Sequence, residues 1–460
     1  MPKKHAPAVD TAGRQPHEAI DFAAEATMTS DEMRAKSKQF LMPAVMNYYA
    51  EPLAVDHAKG VWIYDADGKG YLDLFGGILT VSLSHANEEV NAAIKVQIDR
   101  LSHISTLYPT APIVQLAESL AGIMPGGISQ SFPVASGTEA DEMAVMLAMT
   151  HTGKSEVIAL RNGYSGRSML AQSLMGHANW RVIPQQIAGI KHAVQPDCYR
   201  CPFKLKYPSC NLACAQDIEN LIQYTTTGQI AGFLAEPVQG VGGFVVPPKE
   251  YFEVAVGIVR KYGGLFIADE VQTGFGRSGT HWWGFEHFGV TPDIVTMAKG
   301  IANGLPAANC MTTPEIAKSI PRQTISTFGG NPVAMAAAVA TLDIMKREDM
   351  PARSARLGAH LRAGLEELQR KYPRKIGQVR GLGLMQAVEM VEDEVAGDRT
   401  PDAAITGRIF EASRKEGVLL GKGGRWGNIF RIAPPMLIET SEIDHGLAAF
   451  DRALSAAGAT

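Results

Sequence analysis

Leu265-Phe266-Ile267-Ala268-Asp269-Glu270-Val271-Gln272-Thr273-Gly274-Phe275-Gly276-Arg277 and, beyond a tryptophan-containing bridge, Pro292-Asp293-Ile294-Val295-Thr296-Met297-Ala298-Lys299-Gly300 decide how the rest of the chain is read. The apolar runs 265–268 and 294–297 have the length and β-branching of strands buried on both faces. Asp269 follows the first at once, and Lys299 stands just past the second. Gly274 and Gly276, then Gly300 and Gly304, let the chain turn after each run. In an open parallel sheet, ligands bind beyond the carboxyl ends of the strands. An acid and a lysine delivered to that edge therefore belong to one pocket.

That pair has a specific chemical use. A lysine withdrawn from water loses its proton more easily, because desolvation disfavours the ammonium, and its free amine condenses with an aldehyde to an imine. A buried carboxylate needs a cationic partner. Pyridoxal phosphate meets both demands: its aldehyde bonds the lysine, and its pyridinium nitrogen pairs with the acid. The alternative from these residues alone is a structural Asp–Lys ion pair.

Upstream, Ser131-Phe132-Pro133-Val134-Ala135-Ser136-Gly137-Thr138-Glu139-Ala140-Asp141 runs from a strand through small residues into a helix over 142–150. Unpaired amides at a helix start attract an anion such as a phosphate, with Ser136 and Thr138 adding hydroxyls. Simple N-capping by either residue has the same signature. Residues 157–160 form another buried strand, ending before Tyr164 between glycines; that ring either stacks on a planar cofactor or packs in the core. The run 232–235 is again a strand, ending at Glu236. Helices are expected over 215–224 and 250–262. Strand and helix thus alternate from about 130 to 311, which gives a doubly wound, mostly parallel α/β domain.

On either side, residues 60–74 read as a β-hairpin around an Asp-Gly turn, followed by Phe75-Gly76-Gly77. Residues 1–45 are a polar arm with a helix near 31–40. Helical periodicity marks 89–101 and 113–123. A long helix follows Pro332, and 351–391 and 402–456 are helix–strand pieces whose best strands are 381–385 and 429–432. Three regions are expected: an arm and hairpin (1–85), a large cofactor-binding domain (86–335) and a C-terminal part (336–460) that forms a smaller α/β domain with the hairpin.

The 460 residues are 46% apolar and 20% charged, with a formal net charge of −4. A nucleic-acid binder would carry a basic bias, so none is expected. No apolar run approaches the length of a membrane span. The N-terminus has Lys3, Lys4 and Arg14 but no apolar core of a secretory signal, so the default expectation is a cytoplasmic location; a mitochondrial one is the alternative, although the segment lacks an Arg- and Ser-rich amphipathic pattern. Cys198, Cys201, Cys210 and Cys214 are spaced as Cys-x2-Cys and Cys-x3-Cys. They are either zinc ligands or reduced thiols of a proline-containing loop; no metal is assigned to the site.

The order of these pieces resembles the class III, fold-type I pyridoxal-phosphate aminotransferases over about residues 60–435. The segments 267–277 and 292–300 carry the resemblance most specifically. Trp282-Trp283-Gly284-Phe285, Thr327-Phe328-Gly329-Gly330-Asn331-Pro332 and Phe430-Arg431-Ile432-Ala433-Pro434 are most like the alanine–glyoxylate and ω-aminotransferases within that family. The resemblance implies that Lys299 bonds the cofactor and shuttles the substrate's α-proton, and that Asp269 holds the pyridinium proton. Val271 and Tyr164 would sandwich the ring and Gln272 would bond its phenolic oxygen. Ser136, Gly137 and Thr138 would hold the phosphate, with Thr327 supplied by the other subunit of a homodimer or larger assembly such as a tetramer. Arg431 would grip the substrate's α-carboxylate, with Glu236 as its gate beside the cofactor. Arg167 would meet a distal carboxylate, and Phe75 is counted with the substrate-binding residues.

The implied reaction moves an amino group from alanine or an ω- or β-amino acid to a small 2-oxo acid, glyoxylate or pyruvate, by ping-pong half-reactions. A 4-aminobutyrate-type or decarboxylating transaminase, a racemase, a phospholyase on the same scaffold or a non-catalytic zinc-stabilised scaffold are the alternatives. Three departures stand out. Ala135 and Asp141 replace asparagines common in the family, and Ser165 replaces a histidine.

Overall fold

The structure, a computed structural model, describes residues 28–184 and 186–459, so the expectation for the first 27 residues lies outside it. One compact unit ends at His57 and takes in Tyr64–Lys69; the other holds Ala58–Ile63 and Gly70–Thr460. In the first, Thr29 caps the helix Ser30–Phe40 in a reciprocal box with Glu32. The expected Asp-Gly turn is built by Asp65, whose carboxylate accepts the amides of Asp67 (3.1 Å) and Lys69 (2.8 Å). Gly68 supplies the left-handed residue at φ 83°.

The first strands are β1 (Val55–Lys59), β2 (Trp62–Asp65) and β3 (Gly70–Asp73). The next seven form the central sheet: β4 (Gln130–Val134), β5 (Val157–Leu160), β6 (Ile190–Ala193), β7 (Gly232–Ala235), β8 (Leu265–Asp269), β9 (Ile294–Met297) and β10 (Ala308–Thr312). Their spatial order is β4-β10-β9-β8-β7-β5-β6. Every neighbouring pair is parallel except the two made by β10, which runs against both β9 and β4. The doubly wound, mostly parallel sheet is thus as expected.

β5, β7 and β9 are buried at every position, which explains their continuous apolar runs. The helix Gly137–Thr152 covers one face, packing Met143, Ala144, Leu147 and Ala148 onto Val157, Leu234, Ile267 and Ile294. It begins at Gly137, five residues before the sequence-based start, because Ser136 caps it; it ends at left-handed Gly153.

The C-terminal strands are β11 (Ile376–Leu382), β12 (Met385–Asp393), β13 (Asp398–Pro401), β14 (Val418–Leu419), β15 (Gly421–Gly423) and β16 (Ile429–Ile432). A second sheet has the order β11-β12-β16-β15, with β13 on the side of β12. Here one expectation is corrected: 381–385 is no single strand but the tight reversal from β11 to β12, in which Leu382 pairs with Met385. Gly383 sits at φ 50°, and a Cβ there would come within 2.5 Å of the Arg277 carbonyl oxygen. Only glycine makes that reversal against a packed neighbour. β14 runs parallel to β3, pairing Val418 with Leu72, so the early hairpin strand and the C-terminal segment share one ladder.

Candidate active site

Because β7, β8 and β9 run parallel side by side, Glu236, Asp269 and Lys299 all leave the sheet at the same edge. They line one cavity of about 380 Å³ with Ser136, Gly137, Thr138, Tyr164, Arg167, Val271 and Gln272.

Asp269 is 3% exposed, and its Oδ1 accepts the Val271 amide at 3.0 Å. Burial raises its carboxyl above the ordinary value, against the opposing pull of that amide and Lys299. Glu236 is raised too, by burial and then by the charge of Asp269. Its oxygens accept the amides of Gly240 (2.7 Å) and Tyr164 (3.0 Å). Lys299 keeps part of its surface open to the cavity. Desolvation lowers its ammonium from the usual lysine value, while Asp269 and Glu236 resist that change. The lysine is held in the left-handed region at φ 42°, a costly conformation of about 1–2 kcal/mol for a residue with a Cβ. Gly300 fastens this turn: a Cβ there would lie 2.2 Å from Ser82 Oγ.

At the helix start, the amides of Gly137 and Thr138 precede any intrahelical acceptor, and both residues line the cavity, as an anion site requires. Ser136 Oγ also accepts the Glu139 amide, at 3.5 Å, so capping and cavity lining coexist. The Thr138 hydroxyl is engaged with Ser168 Oγ at 2.9 Å. Gly166, at φ 122°, makes room for it; a Cβ would stand 2.5 Å from that of Thr138. Tyr164 packs edge-on against Trp180, with ring centres 6.0 Å apart. Gln272 Oε1 is buried and has no hydrogen-bond partner, an acceptor left for a ligand donor.

Three expected residues do not line the cavity. Thr327 is exposed, in a segment whose neighbours Thr324 and Ile325 border a separate cavity of about 520 Å³. Arg431, on β16 and 2% exposed, donates to the carbonyls of Gly240 (3.4 Å) and Lys422 (3.1 Å). Phe75 packs against its guanidinium and is positioned by Asp73, whose Oδ1 accepts the amides of Phe75 (2.8 Å) and Gly76 (2.9 Å). The charge of Arg431 nonetheless reaches Lys299 and helps lower its ammonium.

Thr80, Asp141 and the run Leu305-Pro306-Ala307 also line the cavity without having been assigned to it. Asp141 was visible as a departure from the family pattern; the others carry no sequence signal. The four clustered cysteines line a different, very small cavity. No group of three or more His, Cys, Asp or Glu among the described residues is placed to hold a metal ion. No described helix is long and apolar enough to cross a membrane.

A buried acid and a desolvated lysine beside a helix start could hold an aldehyde-bearing, phosphorylated, protonated ring. The orphan Gln272 oxygen suits such a ring, and a pyridinium would give Asp269 the counter-charge that burial otherwise denies it. Residues 45–454 match the family model for class-III aminotransferases. The mitochondrial alanine–glyoxylate aminotransferase 2 homolog 2 of Arabidopsis thaliana is 41% identical over 428 residues, covering 93% of this chain and 88% of that protein. The human mitochondrial alanine–glyoxylate aminotransferase 2 is 38% identical, covering 91% and 85%. Among solved structures, a PLP-bound amine transaminase from an uncultivated Pseudomonas species superposes with a TM-score of 0.84 at 33% identity, covering 91% and 99%. The chain belongs to the class-III aminotransferases, and its activity is that of a transaminase.

Proposed function

We propose that this cavity binds pyridoxal phosphate and moves an amino group from alanine or an ω- or β-amino acid to glyoxylate or pyruvate. The observation that carries the reading is the joint placement of Asp269 and Lys299 at the ends of adjacent parallel strands, in one cavity. When bound, the cofactor supplies an aldehyde that takes up the amino group and a protonated ring that withdraws electrons from the substrate's α-carbon.

The chain's own residues do the rest. Lys299 Nζ, with its ammonium destabilised by desolvation, is free to accept the α-proton and return it. Asp269 holds a negative charge where the ring nitrogen needs one. The first-turn amides of Gly137 and Thr138 bind the phosphate, assisted by Ser136. Val271 and Tyr164 restrain the ring between them, and Gln272 directs its acceptor at the ring's hydroxyl. Arg431 exchanges carbonyl contacts for a substrate carboxylate, and Glu236 balances the guanidinium when the substrate brings none. Arg167 at the mouth receives a distal anionic group.

Thr327 reaches the phosphate of a neighbouring subunit in this reading, so the working unit is a homodimer or a tetramer built from it. We place the protein in the cytoplasm. The close alanine–glyoxylate relatives and the intact Lys299, Asp269 and Gln272 support the whole. A panel of amino donors against glyoxylate, pyruvate and 2-oxoglutarate is the test. Alanine with glyoxylate is expected among the fastest pairs, with amino-group transfer to the cofactor seen with one substrate alone. Release of ammonia or carbon dioxide instead would overturn transamination as the main reaction.

A further inference from the structure

Three carboxyl groups, not two, converge on Lys299. The helix Gly137–Thr152 that opens at the anion site brings Asp141 round one turn after Gly137, onto the same face. Asp141 is 1% exposed and lines the cavity. Its Oδ1 accepts the Thr296 hydroxyl at 2.7 Å. Thr296 is itself the cross-strand partner of Asp269 in the β8–β9 pair. Asp141 is therefore linked to Asp269 through one residue, and it lies one helical turn from the first-turn amides.

The groups facing Asp141 come from four strands. Glu236 follows β7, Asp269 ends β8, Thr296 lies on β9 with Lys299 beyond it, and the Cys310 thiol lies on β10. On its own helix, Glu139 is exposed and occupied by the Ala135 amide. Only Lys299 among these groups is cationic. Burial, and then repulsion from Asp269, holds the Asp141 carboxyl well above the ordinary carboxylate range, despite the Thr296 hydrogen bond. A protonated carboxyl presents one accepting oxygen and one O–H donor, the same pattern as an asparagine amide. An asparagine keeps that pattern at every pH; an aspartate keeps it only while protonated.

We propose that Asp141 is a positioning residue of the cofactor site: a neutral hydrogen-bonding acid that leaves the negative charge on Asp269, and whose ionisation repels the bound phosphate and weakens retention of the cofactor. The inference rests on the pyridoxal-phosphate reading given above. It makes cofactor retention fall as the pH rises through the titration of this carboxyl, a dependence that an asparagine would remove.

The test measures pyridoxal-phosphate dissociation constants from pH 6.5 to 9.5 by fluorescence quenching, for wild type, Asp141→Asn and Asp141→Ser. Thermal unfolding of the cofactor-free proteins is followed over the same range and down to pH 4. Wild type should lose affinity relative to Asp141→Asn as the pH rises, by about ten-fold or more across the range. The sign for stability follows from a raised folded-state value. Between the unfolded value of 3.8 and the raised one, the native state holds a proton that the unfolded chain releases, so wild-type stability falls with rising pH. The unfolding temperature of Asp141→Asn should therefore gain on wild type as pH rises, and Asp141→Ser should show the same flattened profile. Affinity ratios and unfolding gaps that stay constant with pH, in a protein that binds the cofactor, would overturn the role of Asp141 alone. Failure of wild type to bind pyridoxal phosphate at any pH would overturn the proposed function, and this inference with it.

Discussion

The guanidinium carbon of Arg431 lies 4.7 Å from the centre of the Phe75 ring, and 5.8 Å from that of Phe244 on its other contact. An aromatic face attracts a guanidinium by roughly 0.5–2 kcal/mol, more when water is excluded. The two rings, together with the carbonyls of Gly240 and Lys422, hold the charge in place. Phe75→Leu keeps an apolar side chain but removes one ring. We expect kcat/KM for amino-acid donors to fall by about 2- to 30-fold, with most of the loss in KM. An unchanged KM for carboxylate-bearing donors, with full activity, would remove Phe75 from the substrate site.

Lys299→Ala should abolish turnover and the visible absorption of lysine-bonded cofactor, while the fold stays intact by circular dichroism. Loss of general acid–base and covalent catalysis together costs well over about 10³-fold. Residual activity above one part in a hundred would place the proton transfer on another group.

Gly240 decides where Gln272 stands. A Cβ at Gly240 would lie 2.3 Å from the Gln272 amide nitrogen, so Gly240→Ala must push that side chain away. Losing one hydrogen bond to a ring oxygen is worth about 1–1.5 kcal/mol, or close to ten-fold in cofactor affinity. The unfolding temperature of the cofactor-free protein should scarcely change, because the displaced group is the end of a flexible side chain. A large drop in that temperature would show instead that Gly240 is needed for folding.

Acid sensitivity should trace partly to His287. Burial first, and then neighbouring His281, lower its imidazole from 6.5 to about 4. A depressed folded-state value means that the unfolded chain takes up the proton first, so stability is full above 6.5 and is lost as pH falls toward 4. His287→Asn retains a group able to meet Ser278 Oγ, now 3.0 Å from Nε2, but does not titrate. Its unfolding temperature should drop less between pH 7 and 4.5 than that of wild type. Parallel profiles would exclude His287 from the acid transition.

Phe328 (67% exposed), Leu107 (61%), Tyr108 (60%) and Ile325 (54%) are large apolar side chains open to solvent near Thr327 in sequence or across the Thr106–Ser326 contact. Under the proposed assembly a second chain covers them. Phe328→Glu should convert a species of twice 49.4 kDa into one of a single chain mass by sedimentation, with parallel loss of cofactor retention. A wild type that sediments as a monomer while fully active would rule out a shared site.

Much of this site was legible because short parallel strands write themselves into sequence twice, as continuous apolar runs and as the charged residue that ends them. Asp269, Glu236 and Lys299 were found that way. Gly137 and Thr138 followed from the strand–turn–helix pattern. Asp141 drew notice only as a departure from a family pattern; its hydrogen bond to Thr296, 155 residues away, has no local signal. Thr80 and Pro306 enter the cavity from turns whose sequence is ordinary. The run 381–385 misled because two flexible glycines and three apolar residues suit a strand or a reversal equally. Contact with the Arg277–Gly279 backbone makes it the latter.

By itself the sequence determined the sheet, its parallel sense, and the lysine and acid at its edge, since each is a matter of period, length and residue chemistry along a few consecutive positions; the class of reaction came from the resemblance to a known family. Tertiary structure alone decided that three carboxyls line one cavity with the lysine, that Arg431 rests against two aromatic rings, and that Thr327 lies outside its own chain's cavity. Those facts depend on which strand lies beside which and on how far each side chain is removed from water, and neither is a property of neighbouring residues in the chain.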